Sequence, residues 1–182
     1  MTLRQFVLVT HRWLGLSTGL VLAIAGATGA VLVVATGRLH QVFGPVHTSL
    51  AAGRLGTLAV LAATAAAVLL EAGGLVLWWR RKRVTVETRG SWRRGLADLH
   101  HVTGVFGLVL MVILAVTAVL IPFVTPESNP WLRKVIVGLH TTRDYGWAVK
   151  TLFGAASLGF VVQGVTGVVM WWKPGRAGAG RQ

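Results

Sequence analysis

Six histidines and no cysteine set the chemistry open to this 182-residue chain. They are His11, His40, His47, His100, His101 and His140. A neutral imidazole can ligate haem iron, hold a metal ion or carry a proton. The missing cysteines exclude a disulfide-stapled fold, thiolate metal sites, cysteine-held iron–sulfur clusters and a cysteine nucleophile. Spacing sorts four of the histidines into two pairs. A shift of 89 residues lays His11-Arg-Trp-Leu-Gly15 on His100-His-Val-Thr-Gly104, and Thr28 on Thr117. A shift of 93 lays His47-Thr48-Ser49 on His140-Thr141-Thr142. The same shift lays Gly74-Leu-Val-Leu-Trp78-Trp79-Arg80 on Gly167-Val-Val-Met-Trp171-Trp172-Lys173. The offsets differ by 4, an insertion of about one helical turn. Two tandem units are expected, over residues 7–80 and 96–173.

The elements that carry these residues are membrane helices. Hydrophobic residues make up 54% of the chain and charged residues 13%, far from a soluble composition and farther from a disordered one. Four apolar stretches reach the roughly 20 residues a bilayer demands, at 13–36, 58–79, 101–124 and 148–172. They must be helices, because lipid offers no partner for open backbone groups. The fold class is therefore an all-α integral membrane protein, a four-transmembrane-helix bundle of two tandem two-helix repeats. The remaining segments, 37–57 and 125–147, read as external loops with no room for a sizeable soluble domain. The first span is read as retained rather than as a cleaved signal peptide.

Lys and Arg number 12 on the side holding both termini and the 80–94 loop, and 6 on the other. Both ends are then expected in the cytoplasm. Trp13, Trp78, Trp79, Trp147, Trp171 and Trp172 fall at span ends, where an amphipathic ring suits the headgroups. The net charge of +13 lies between apolar runs, so it reads as topology and lipid contact rather than nucleic-acid binding. An acidic electron donor is a second use for the basic loop.

Parallel units imply a twofold axis along the membrane normal. That axis brings His11 toward His100 at the cytoplasmic end, and His47 toward His140 at the external end. Two facing imidazoles at each end is the arrangement for bis-histidine ligation of two b-type haems. Gly15 and Gly104, four residues after a histidine, leave room on the same helix face. Arg12, Arg93, Arg94, Arg38 and Arg143 are candidate propionate partners. His101 is an alternative to His100, and His40 an alternative to His47. The plainer reading makes these histidines interfacial hydrogen-bonding groups.

Glu71 is the only acidic residue inside a span. It is either a proton acceptor or one half of an intramembrane polar pair with Gln163. Thr28 and Thr117 read as bonded to their own helices or capping an interhelix contact, rather than carrying chemistry. No phosphate loop, dinucleotide fingerprint or zinc-protease helix is present, so a nucleotide or flavin site is not expected.

The blocks Val9-Thr-His-Arg-Trp-Leu-Gly15, Leu99-His-His-Val-Thr-Gly104 and Leu139-His-Thr, with the terminal Trp-Trp, resemble the PepSY-associated transmembrane helix family over nearly all of the chain. The resemblance implies four core helices in a bacterial cytoplasmic (inner) membrane. It also implies kinship with ferrisiderophore reductases, which carry two b-type haems on histidine pairs. Electrons would come from a quinol or a cytoplasmic reductase and reach a ferric chelate at the external face. The chain departs from larger members in having no extended PepSY domain and no added spans. Acceptor docking is then expected from a separate periplasmic or extracellular subunit. Two other functions are carried forward. One is a haem-free accessory subunit of a transporter or receptor, with its glycine faces as protein contacts. The other is a metal or proton transporter using Glu71 and the histidines, which the apolar span centres support poorly.

Overall fold

The structure is a computed structural model that describes residues 1–79 and 91–172. The basic segment 80–90 and the tail 173–182 lie outside the described residues. Everything described is helix or connection, without strands. The elements are α1 (Leu3–Leu32), α2 (Arg38–Ser49), α3 (Gly53–Trp79), α4 (Trp92–Leu120), α5 (Pro130–Thr141) and α6 (Trp147–Trp172). A single 3-10 turn, Ile121–Phe123, extends α4. Four helices are long and apolar enough to cross a membrane: α1, α3, α4 with its 3-10 turn, and α6.

Two boundaries differ from expectation. α1 begins ten residues before Trp13, and α4 begins at Trp92 rather than His101. In α1 a capping box explains the early start. Thr2 accepts from the Gln5 backbone N–H, and the Gln5 side chain accepts in return from the Thr2 N–H at 2.8 Å. His11 and His100 therefore sit about two turns inside their helices, where backbone geometry fixes where they point. The two external loops also contain helix. α2 carries His47 and α5 carries His140. Asn129 caps α5 by accepting from the Leu132 N–H at 2.9 Å, with Pro130 pre-set at the first helical position. Loop length alone carries no such information, and α2 with its internal Pro45 reads poorly as helix.

The long helices form a ring in which α1 touches α3 and α6, and α4 touches α3 and α6. α1 and α4 lie across the diagonal. The most extensive interface is α1 on α6, because glycine lets the backbones meet. A Cβ on Gly164 would stand 2.6 Å from the Gly19 carbonyl oxygen. One on Gly26 would overlap the Ser157 carbonyl. With no hydrophobic drive between helices in lipid, such close van der Waals packing holds the bundle. The matching positions at the α3–α4 interface are Leu108 and Glu71 in place of Gly19 and Gly164. That interface is looser. Outward faces carry exposed Leu20, Phe106, Val109, Leu158 and Val165, as lipid contact requires.

Candidate functional site

The ring architecture brings both expected histidine pairs together. His11 on α1 faces His100 on α4, with ring centres 6.4 Å apart. His47 on α2 faces His140 on α5, with ring centres 6.0 Å apart. The span from His11 to Thr28, against which His47 packs, is 17 residues of α1 or about 25 Å. The pairs therefore sit toward opposite ends of a bundle matched to a hydrocarbon core of about 30 Å.

Threonines hold the outer pair, bonding their own helices and also meeting a histidine of the neighbouring helix. Thr28 donates its only hydroxyl proton to the Ile24 carbonyl at 2.7 Å, so toward His47 it accepts. His47 Nδ1 lies 2.9 Å from the Ala25 carbonyl and 3.2 Å from the Thr28 hydroxyl. Both neighbours accept, so Nδ1 carries the proton. Thr117 repeats this, donating to Ile113 at 2.6 Å and accepting from His140 Nδ1 at 3.1 Å. Burial pushes both imidazoles toward the neutral form, His140 down to about 4 with help from neighbouring His47. Neutral, Nδ1-protonated imidazole leaves the Nε2 lone pair free to ligate a metal.

Arg133 positions α5 by donating to the carbonyls of Val124 at 2.6 Å and Ile121 at 3.2 Å, which closes the open end of α4. The 93-residue shift places His40 at the position of Arg133. His40 is exposed on α2, while His47 is the residue that faces His140.

The inner pair borders a cavity of about 420 Å³ that is also lined by Arg12, Glu71, His101 and Gln163. His100 Nδ1 donates to Thr166 at 2.8 Å, while Thr166 donates to Val162 at 2.5 Å. Sequence reasoning missed Thr166, because its partner position in the first unit is Gly73 and no repeat signal marks it. His11 Nδ1 is buried without a side-chain partner, and its nearest polar neighbour is the Leu70 backbone. Glycines press against the imidazoles. A Cβ would stand 3.1 Å from His47 Cε1 at Gly29, 3.5 Å from His11 Cε1 at Gly74 and 3.7 Å from His100 Cε1 at Gly167. His101 lines the same cavity beside His100, but His100 is the one paired in ring contact with His11.

The Glu71–Gln163 pair does not form. Gln163 donates from its amide to the His100 carbonyl and the Thr103 hydroxyl, both at 2.8 Å. It thereby ties α6 to α4. Glu71 enters the cavity without it. Among the candidate cations, Arg12, Arg94, Arg38 and Arg143 are exposed. Arg93 is partly buried, and its Nη2 is buried without a hydrogen bond. It stands seven residues, or two turns, before His100 on the same face of α4. Among the described residues no group of three or more His, Asp or Glu comes together as ligands for a single metal ion.

The fold and the facing pairs define a multi-pass, all-helical membrane protein built around paired histidines. The PepSY-associated TM region family matches residues 35–132, more than half of the chain, and the chain belongs to that family. The match takes in His40, His47, His100 and His101 but ends before His140 and begins after His11, so it is narrower than the near-complete resemblance expected. No curated protein and no solved structure matches the chain.

Proposed function

We propose that the protein moves electrons across the membrane through two b-type haems, the inner held by His11 and His100 and the outer by His47 and His140. The spacing of the facing imidazoles carries this reading. A metal–imidazole bond of about 2 Å on each side, plus about 1.1 Å from each ring nitrogen to its ring centre, sums to about 6.2 Å. The observed separations of 6.4 and 6.0 Å bracket that sum. The glycines beside the imidazoles leave room for a flat macrocycle, and the unpartnered Arg93 nitrogen supplies a cation for a propionate. When bound, the haems supply one-electron carriers, with potentials set partly by their axial ligands.

The chain's own residues do the rest. The threonine-anchored imidazoles fix ligand direction before loading. Among the described residues Glu71 is the one carboxyl lining the inner cavity, and is the group there able to take a proton released by a quinol. The 12-to-6 distribution of Lys and Arg supports both termini inside, with the His47–His140 end outside. The terminal acceptor on this reading is a ferric siderophore or another ferric chelate, docked at the external face directly or through a partner subunit.

The test is haem content by pyridine haemochrome on detergent-purified protein, with an absorption spectrum before and after dithionite. Wild type is expected to carry two low-spin b-type haems per chain, and His140→Ala one. Two haems in His140→Ala would sink the outer assignment. A colourless protein that takes up no added haemin would retire the whole reading.

A further inference from the structure

Three of the four facing histidines rest on a threonine, and the exception is His11. The hydroxyls of Thr28, Thr117 and Thr166 each donate to a carbonyl of their own helix and accept from an imidazole Nδ1. The 93-residue shift that lays Gly74 on Gly167 lays Gly73 on Thr166. At Gly73 there is space for a Cβ. A Cβ there would meet His11 Nδ1 at 3.5 Å and Val7 Cγ1 at 3.6 Å, both ordinary contacts. The backbone at Gly73 thus tolerates a side-chain start pointing at His11 Nδ1, yet the chain places no hydroxyl there. Hydrogen-bond partners behind a ligating histidine fix its tautomer and direction, and losing one weakens metal binding about 10- to 100-fold.

Resting on the two-haem reading, we propose that Thr28, Thr117 and Thr166 are positioning residues for three of the ligands. Gly73, by the same geometry, leaves His11 as the loosely held ligand through which the inner iron opens to a small neutral molecule. The inner site thereby differs from the outer one in reactivity as well as in position. His11 can leave without giving up a threonine contact, whereas His47, His100 and His140 each must break one.

Carbon monoxide is the probe, followed by the absorption change of dithionite-reduced protein in detergent. About half of the haem in wild type is expected to bind it. Gly73→Thr supplies the missing hydroxyl and should weaken carbon monoxide binding at the inner haem about tenfold or more. Thr166→Val keeps the side-chain shape, removes the anchor of His100 and should raise carbon monoxide binding and speed haem loss on dilution. A wild-type protein that holds two haems inert to carbon monoxide overturns the inference. So does a Gly73→Thr protein that binds both haems and reacts like wild type, or a Thr166→Val protein unchanged in both readouts. Wild type without haem sinks the electron-transfer reading itself, which keeps the two failures apart.

Discussion

Gly164→Ala tests whether the close α1–α6 crossing holds the inner pair in register. The added methyl would lie 2.6 Å from the Gly19 carbonyl oxygen and 3.3 Å from Ala23 Cβ. Ordinary contact begins near 3.4 Å, and the obstacle is backbone rather than a movable side-chain tip. The helices must therefore part by about 0.8 Å at this level. The Gly26–Ser157 crossing is untouched and acts as a pivot, so the opening falls on the inner half. His11 rides on α1, and metal–ligand distances tolerate only about 0.2 Å. Overpacking costs about 1–3 kcal/mol, offset by up to about 1 kcal/mol from the higher helix propensity of alanine. Gly154→Ala on the same helix is the control, since nothing lies within 4 Å of its added Cβ. Thermal unfolding in detergent and haem per chain read both effects. Gly164→Ala should melt below the control and lose inner haem while keeping the outer. If it matches the control in both, the close crossing does not govern the site.

Arg93→Gln should leave the haem-free protein as stable as wild type, because it removes a buried cation that has no hydrogen bond at Nη2. It should weaken haem retention at the inner site about 10- to 100-fold, the worth of a charge-assisted hydrogen bond of about 1.5–3 kcal/mol, read by haemin titration. The orientation is open to direct labelling, since the chain has no cysteine of its own. Thr48→Cys on exposed α2 should react with an impermeant maleimide added to intact spheroplasts, and protection there with labelling only after lysis would invert the assigned topology.

Composition and periodicity determined the membrane class by themselves. A 20-residue apolar run has one stable form in lipid, a helix, so α1, α3, α4 and α6 follow from the sequence without tertiary information. The pairing of His11 with His100 and of His47 with His140 was legible for a related reason. Units of similar sequence are expected to fold alike, and equivalent residues would then face one another across their axis. The rest depended on contacts between distant segments. That α2 and α5 are helices was hidden, because a short helix outside the bilayer draws its stability from packing against its neighbours. Gln163 was placed at the depth of Glu71, yet its amide goes to His100 and Thr103 because α6 packs on α4 at that height. Thr166 carried no signal at all, since one hydroxyl in an apolar helix looks the same whether it bonds its own backbone or a ligand's imidazole. Only the packing of α4 on α6 brings His100 Nδ1 within 2.8 Å of it, and only that packing shows what Gly73 omits on the other side.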